Sequence, residues 1–180
     1  MPKKHIIIFG VLCVVALGLG YWSGPFKKDS GQRAEGGSTN IVTVQPSVKA
    51  EFNPIIEKEI RRILKKPTGE LTKTDLEKVT RLDLLSRNLT DVKGLENLTQ
   101  LTTLYLHANQ LTEVPKGLEK LTQLRFLELH YNQLTDVQGL EKLNHLTYLN
   151  LQNNPALTKA QIDELKKALP KCDIRSNPKK

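Results

Sequence analysis

LTTLYLHANQLTEVPKGLEKLTQ, residues 101–123, runs straight into LRFLELHYNQLTDVQGLEKLNH, residues 124–145, and the second stretch retraces the first. Laid one over the other, Leu101, Leu104, Leu106, Asn109 and Leu111 fall on Leu124, Leu127, Leu129, Asn132 and Leu134. Upstream, VTRLDLLSRNLTDVKGLENLTQ (79–100) fits the same frame, and downstream LTYLNLQNNPAL (146–157) opens a fourth copy with Leu146, Leu149, Leu151 and Asn154. The copies start at 79, 101, 124 and 146, a spacing of 22, 23 and 22 residues. A fixed period in this range marks a short unit stacked on itself, because a single unit cannot bury its own apolar face. The extra residue of the second copy falls at Pro115-Lys116, where a surface bulge is expected.

The frame LxxLxLxxNxL, followed by a looser apolar half, resembles the leucine-rich-repeat family. That resemblance implies an α/β fold: a short solenoid of right-handed coils with a parallel sheet on its concave side, and a role in protein binding. The physics of the residues agrees. Alternating leucines place every second side chain of a short strand on one side, where successive coils stack into a continuous core. The asparagine amide is suited to backbone groups at the turn that leaves each strand, which an apolar residue would leave unpaired. Val92, Gly94, Leu95 and Leu98 recur as Val114, Gly117, Leu118 and Leu121, then as Val137, Gly139, Leu140 and Leu143, and are expected to form the convex wall. The first copy departs from the frame, with Val79 at its start and Arg87 where the asparagine belongs.

A solenoid exposes its core at both ends unless something covers it. Asn53-Pro54 opens NPIIEKEIRRILKK, in which Ile55, Ile56, Ile60, Ile63 and Leu64 recur at helical spacing, and Pro67 and Gly69 close it. Thr72 with Asp75 predicts a second short helix, TKTDLEKV. Thr158 with Gln161 predicts a third, lined by Ile162, Leu165, Ala168 and Leu169 and stopped at Pro170, after which Cys172 and Ile174 form a last abbreviated strand. The expected organisation is a membrane or signal segment at 1–22, a disordered linker at 23–50, an N-terminal helical cap at 51–78, repeats at 79–157, and a C-terminal helical cap and tail at 158–180.

With leucines turned inward, the residues between them form columns on the concave face. The first is Arg81, Thr103, Phe126 and Tyr148; the second Asp83, Tyr105, Glu128 and Asn150; the third Leu85, His107, His130 and Gln152; the fourth Ser86, Ala108, Tyr131 and Asn153. Tyr105, Phe126, Tyr131 and Tyr148 are all the aromatic residues after Phe52, and all fall in these columns. Solvent-facing rings beside Arg, Glu and His are what a binding patch uses, since they bury large areas at low entropic cost. The candidate partner-binding residues are therefore Arg81, Asp83, Thr103, Tyr105, His107, Phe126, Glu128, His130, Tyr131, Tyr148 and Asn150. Four such strands cover only roughly 300 Å², against about 800 Å² per partner in a standard interface, which predicts weak or assisted binding.

Other chemistry finds little footing. His107 and His130 are expected about 5 Å apart on adjacent strands, too few ligands for a zinc site, so no metal or cofactor is expected. There is no CxxC pair, phosphate-cradling glycine loop or GxSxG motif, and a non-catalytic protein is expected. The formal charge of +8 is spread along the chain and collects on no single helix face, which argues against nucleic acid as a partner.

Toward the N-terminus, Ile6 to Trp22 reads IIIFGVLCVVALGLGYW, uncharged and preceded by Lys3 and Lys4. Its span of roughly 25 Å is short for a hydrocarbon core of about 30 Å yet long for a signal-peptide core, and Tyr21-Trp22 suits a headgroup boundary. An uncleaved membrane anchor with the repeats outside the cytoplasm is expected; the alternative is a signal cleaved near Gly18-Leu19-Gly20, leaving a secreted or periplasmic protein. Leu12 before Cys13 makes a poor lipoprotein site. Residues 23–50 are poor in large apolar groups and read as a flexible spacer. Two functions fit: a membrane-displayed protein- or peptide-binding module, or a spacer that self-associates weakly through its sheet or membrane segment.

Overall fold

The leucine alternation is realised as five strands of three residues each: β1 Arg81–Asp83, β2 Thr103–Tyr105, β3 Phe126–Glu128, β4 Tyr148–Asn150 and β5 Asp173–Arg175. The structure, a computed structural model, describes residues 51–178. The strands pair in parallel in sequence order, so each coil lays its strand beside that of the coil before. In register, Leu82, Leu104, Leu127, Leu149 and Ile174 form one inward row. The first four are fully buried, and so is the parallel row of Leu84, Leu106 and Leu129, with Leu151 nearly so. One contiguous core results, as expected of a chain that buries apolar area only by stacking. Beside the four repeat strands, the abbreviated strand expected at Cys172 and Ile174 is present as β5, which pairs with β4 and ends the sheet.

The asparagines explain both the regularity of the middle coils and the irregularity of the first. Asn132 Oδ1 accepts from Leu111 N–H at 3.0 Å in the preceding coil, while its amide donates to Leu106 O at 2.9 Å and Leu129 O at 3.0 Å. Asn109 accepts from Arg87 and Leu89 N–H and donates to Leu84 O and Leu106 O. Asn154 repeats the pattern one coil on, with Leu134 N–H, Leu129 O and Leu151 O. Each asparagine therefore ties its own turn to the one before. The first coil has no preceding repeat to tie to, and Arg87 stands at its asparagine position, its own N–H bonded to Asn109 Oδ1.

Residues Ser86, Ala108, Tyr131 and Asn153 sit at φ of 53, 56, 54 and 56°. This corrects their expected place in the sheet: the fourth column is a left-handed turn that swings the chain out of each strand and sets up the asparagine contacts. The return halves pass through 3-10 turns at Leu95–Asn97, Leu118–Lys120 and Leu140–Lys142, each entered by a glycine in the left-handed region. Gly94 is the tightest of these, since a Cβ there would lie 2.4 Å from the Phe52 ring. Val92, Leu95, Leu98, Leu118, Leu121, Val137, Leu140 and Leu143 are buried as expected, whereas Val114, next to the extra residue at Pro115-Lys116, is only partly so.

Helix α1 spans Pro54–Leu64, with Asn53 Oδ1 accepting from Ile55 N–H. Ile56 and Ile60, one turn apart, enter the core; Ile55, expected there too, is 38% exposed, because adjacent helical residues point about 100° apart. Helix α2, Lys73–Leu76, is a single turn closed by reciprocal bonds between Thr72 and Asp75. Lys66 Nζ, 2.7 Å from the Asp75 carboxylate, together with the Thr72 bonds, holds that group well below the usual carboxylate range. Helix α3, Lys159–Ala168, carries the Thr158–Gln161 capping box and buries Ile162 and Leu165, while Ala168, expected on that face, is exposed. Cys172 is half-buried against the core, which pushes its thiol up to about 11 and keeps it protonated. The segment Ile6 to Trp22 and the linker at 23–50 lie outside the described residues; among the described residues, no helix is long and apolar enough to cross a membrane.

Candidate functional site: the outer face of the sheet

Side chains that alternate with the inward leucines stand on the opposite face of the sheet, and each of β2, β3 and β4 sets one aromatic ring there. In register, Thr103 lies beside Phe126 and Phe126 beside Tyr148, while Asp83, Tyr105, Glu128 and Asn150 form the next row. The Phe126 and Tyr148 rings stack face to face at 4.5 Å and 7° between planes, and Tyr105 leans on Phe126 at 5.5 Å. In the next column His107 and His130 stack at 4.4 Å and 11°. Tyr105 approaches the His107 ring at 6.1 Å and Tyr131 the His130 ring at 5.4 Å, so six rings form one continuous surface.

Guanidinium groups close the surface at both ends. Arg81 Cζ sits 4.6 Å from the Tyr105 ring centre, and Arg175 Cζ lies 5.4 Å from that of Tyr148. Sequence reasoning missed Arg175 and its neighbour Asp173. The signal was present, because Cys172 and Ile174 taken as inward residues oblige Asp173 and Arg175 to point outward. β5 enlarges the face to about 400 Å² on the same strand geometry, still below a standard interface.

The structure brings together all eleven expected residues except that their exposure is uneven. Arg81 and Asp83 are exposed, Thr103, Tyr105, His107, Phe126, His130 and Tyr148 are half-buried, and Tyr131 is 60% exposed. Glu128 and Asn150, expected to face solvent, are only 9% and 7% exposed. Their neighbours account for the difference: Glu128 lies between Tyr105 and Asn150 in its row and holds His130 Nδ1 at 2.7 Å, and Asn150 accepts from Gln152 N–H and bonds Tyr148. A carboxyl group at this depth needs such a hydrogen-bond partner. Burial, followed by Glu128 nearby, pushes the Tyr148 hydroxyl up from its ordinary range, so it stays neutral.

His107 has the least accommodating surroundings. Its Nδ1 is buried without a hydrogen-bond partner, and burial, followed by the adjacent His130, holds its imidazole below the usual histidine range. Neutral His107 therefore serves as a flat ring in the stack. Among the described residues no group of three or more His, Cys, Asp or Glu side chains could hold a metal ion.

A parallel sheet of repeated strands, with a leucine core behind it and a varied aromatic face in front, defines a leucine-rich-repeat solenoid. Residues 99–155 match the leucine rich repeat family model. Among solved structures, internalin C2 from Listeria monocytogenes superposes with a TM-score of 0.61 at 22% identity, over 71% of this chain and 57% of that one. A second Listeria monocytogenes internalin, inlF, gives 0.53 at 23% identity, over 71% of this chain and 45% of its own. A leucine-rich-repeat protein of Leptospira interrogans is 34% identical over 45% of this chain and 21% of its own, with a TM-score of 0.42. The chain thus spans about half the length of the two Listeria proteins, and what it shares with them is the fold. No curated protein matches the chain.

Proposed function

We propose that this protein is a non-catalytic binding module that holds a protein or peptide on the outer, concave face of its leucine-rich repeats. The observation that carries this is the continuous ring surface Tyr105–Phe126–Tyr148 with Arg81 and Arg175 at its ends. Stacking of the coils requires leucine behind the sheet but places no demand for aromatics in front of it. Rings already packed against one another lose little freedom on binding, and Arg and Tyr are the side chains that anchor protein interfaces. Helices α1 and α3, which bury side chains in the two ends of the core, act as caps that leave the sheet face open. The stretch Ile6 to Trp22 supports display at a membrane with the repeats outside the cytoplasm, or export after cleavage. The small area sets the mode of binding: weak single contacts strengthened by the flanks or by several copies on one membrane.

The test is cross-linking of the full-length protein in the membranes of its native host, beside a variant carrying Tyr105→Ala, Phe126→Ala and Tyr148→Ala. A specific species captured by the parent and lost in the folded variant is the expected result. Self-links alone, unchanged by the three substitutions, would replace this function with that of a self-associating spacer.

A further inference from the structure

A second surface lies at the β1 end of the sheet. β1 is an edge strand. Thr80 O and Leu84 N are bonded toward β2, so by the alternation of a parallel strand the peptide groups of Arg81 and Asp83 turn the other way, where no strand lies among the described residues. Such a row of unpaired N–H and C=O groups is a template for another strand. Natural edges are commonly blunted by charge or by a covering element; here the neighbouring helix α1 leaves a groove of about 580 Å³, lined by Ile55, Lys58, Glu59 and Arg62 on its side and Asp83, Leu85 and Arg87 on the other.

Two features of the groove indicate an occupant. Ile55 and Leu85 are two of the three large apolar side chains exposed among the described residues, at 38% and 41%, and both line it. Its charges are also unbalanced. Glu59 is held by the Arg62 guanidinium at 2.6 Å; Lys58, Arg87 and Asp83, whose Oδ1 accepts from Leu85 N–H at 3.1 Å, have no ion-pair partner among the described residues, so two unpaired cations face one unpaired carboxylate. The free charge at this edge is positive.

We propose that the open edge of β1 and the groove beside it take an extended acidic segment of a partner protein. The segment adds to the sheet through the outward peptide groups of Arg81 and Asp83, rests an apolar side chain on Ile55 and Leu85, and sets its carboxylates against Lys58 and Arg87. Backbone pairing supplies affinity in this mode and the alternate side chains supply selectivity. The site shares β1 with the ring surface but uses the peptide groups of Arg81 and Asp83 and the α1 groove, whereas the ring surface uses the Arg81 side chain.

The probe is a capped, fluorescently labelled peptide of sequence Glu-Val-Asp-Val-Glu-Val, titrated onto the full 180-residue chain in mild detergent. Saturable binding is expected, with slowed hydrogen exchange at the Arg81 and Asp83 amides. Affinity should fall about tenfold or more in the Lys58→Glu, Arg87→Glu double variant, whose surface positions leave folding intact, and at high salt. N-methylation of alternate peptide amides should abolish binding. The proposal is overturned by failure to bind up to millimolar peptide, by equal binding of the peptide with Lys in place of Asp and Glu, or by binding that leaves the two amides unprotected. Peptide protection confined to β2–β4 would also overturn it, while leaving the ring surface as a binding face.

Discussion

The two faces of the same five strands obey different rules. Behind the sheet, Leu82, Leu104, Leu127, Leu149 and Ile174 differ by no more than the branching of one side chain, and the buried asparagines repeat one set of bonds at 109, 132 and 154. In front, the row that begins with Arg81 continues through Thr103, Phe126, Tyr148 and Asp173 without repeating a residue type. Stacking identical coils constrains the back, because each side chain there must fill the space left by its copy in the next coil. The front is released from that constraint.

The comparison is sharpest at Asn132. Asn132→Ala would leave Leu111 N–H without its partner and remove one of the donors to Leu106 O and to Leu129 O, a loss of about 2–4 kcal/mol measured by denaturant unfolding. Arg87→Asn, which restores the repeat frame in the first coil, should change stability by less than about 0.5 kcal/mol, since no earlier repeat offers groups to bond. Equal effects at the two positions would break the account of the ladder.

A smaller effect is expected from acid on the front face. His107 binds its proton less readily in the folded protein than in the unfolded chain. The unfolded state therefore takes up more protons below the ordinary histidine pKa of about 6.5, and stability should fall as pH drops through that value toward the depressed folded one. His107→Phe, which keeps a ring in the stack, should flatten this slope between about pH 7 and pH 5; an unchanged slope would place the acid sensitivity elsewhere.

Tyr131 gives a small change of opposite sign. A tyrosine at φ 54° occupies backbone space that asparagine tolerates better, so Tyr131→Asn should stabilise the fold by about 0.5 kcal/mol in thermal unfolding. Together with that gain, loss of partner capture would show that the exposed ring is kept for contact at a cost in stability.

Much of this was legible in the residues. The period, the inward leucines, the asparagine turn and the helices at both ends follow from spacing and capping patterns, which are local. What alternation cannot supply is how deeply a side chain sits among neighbours from other coils. Glu128 and Asn150 carry outward positions in the sequence, yet they are covered because adjacent strands set large side chains around them. Ile55 and Ile56 read alike on a helix, and only the direction of α1 over the core separates the exposed one from the buried one. Arg175 escaped notice because β5 follows a helix and not a fifth copy of the repeat. The membrane segment stands on its sequence alone.

The most direct test of the central claim compares stability and capture in one protein, the Tyr105→Ala, Phe126→Ala, Tyr148→Ala variant. The account predicts a cooperative unfolding transition with an unchanged denaturant slope and complete loss of the species cross-linked by the parent. Capture at the parent level by this folded variant would contradict it.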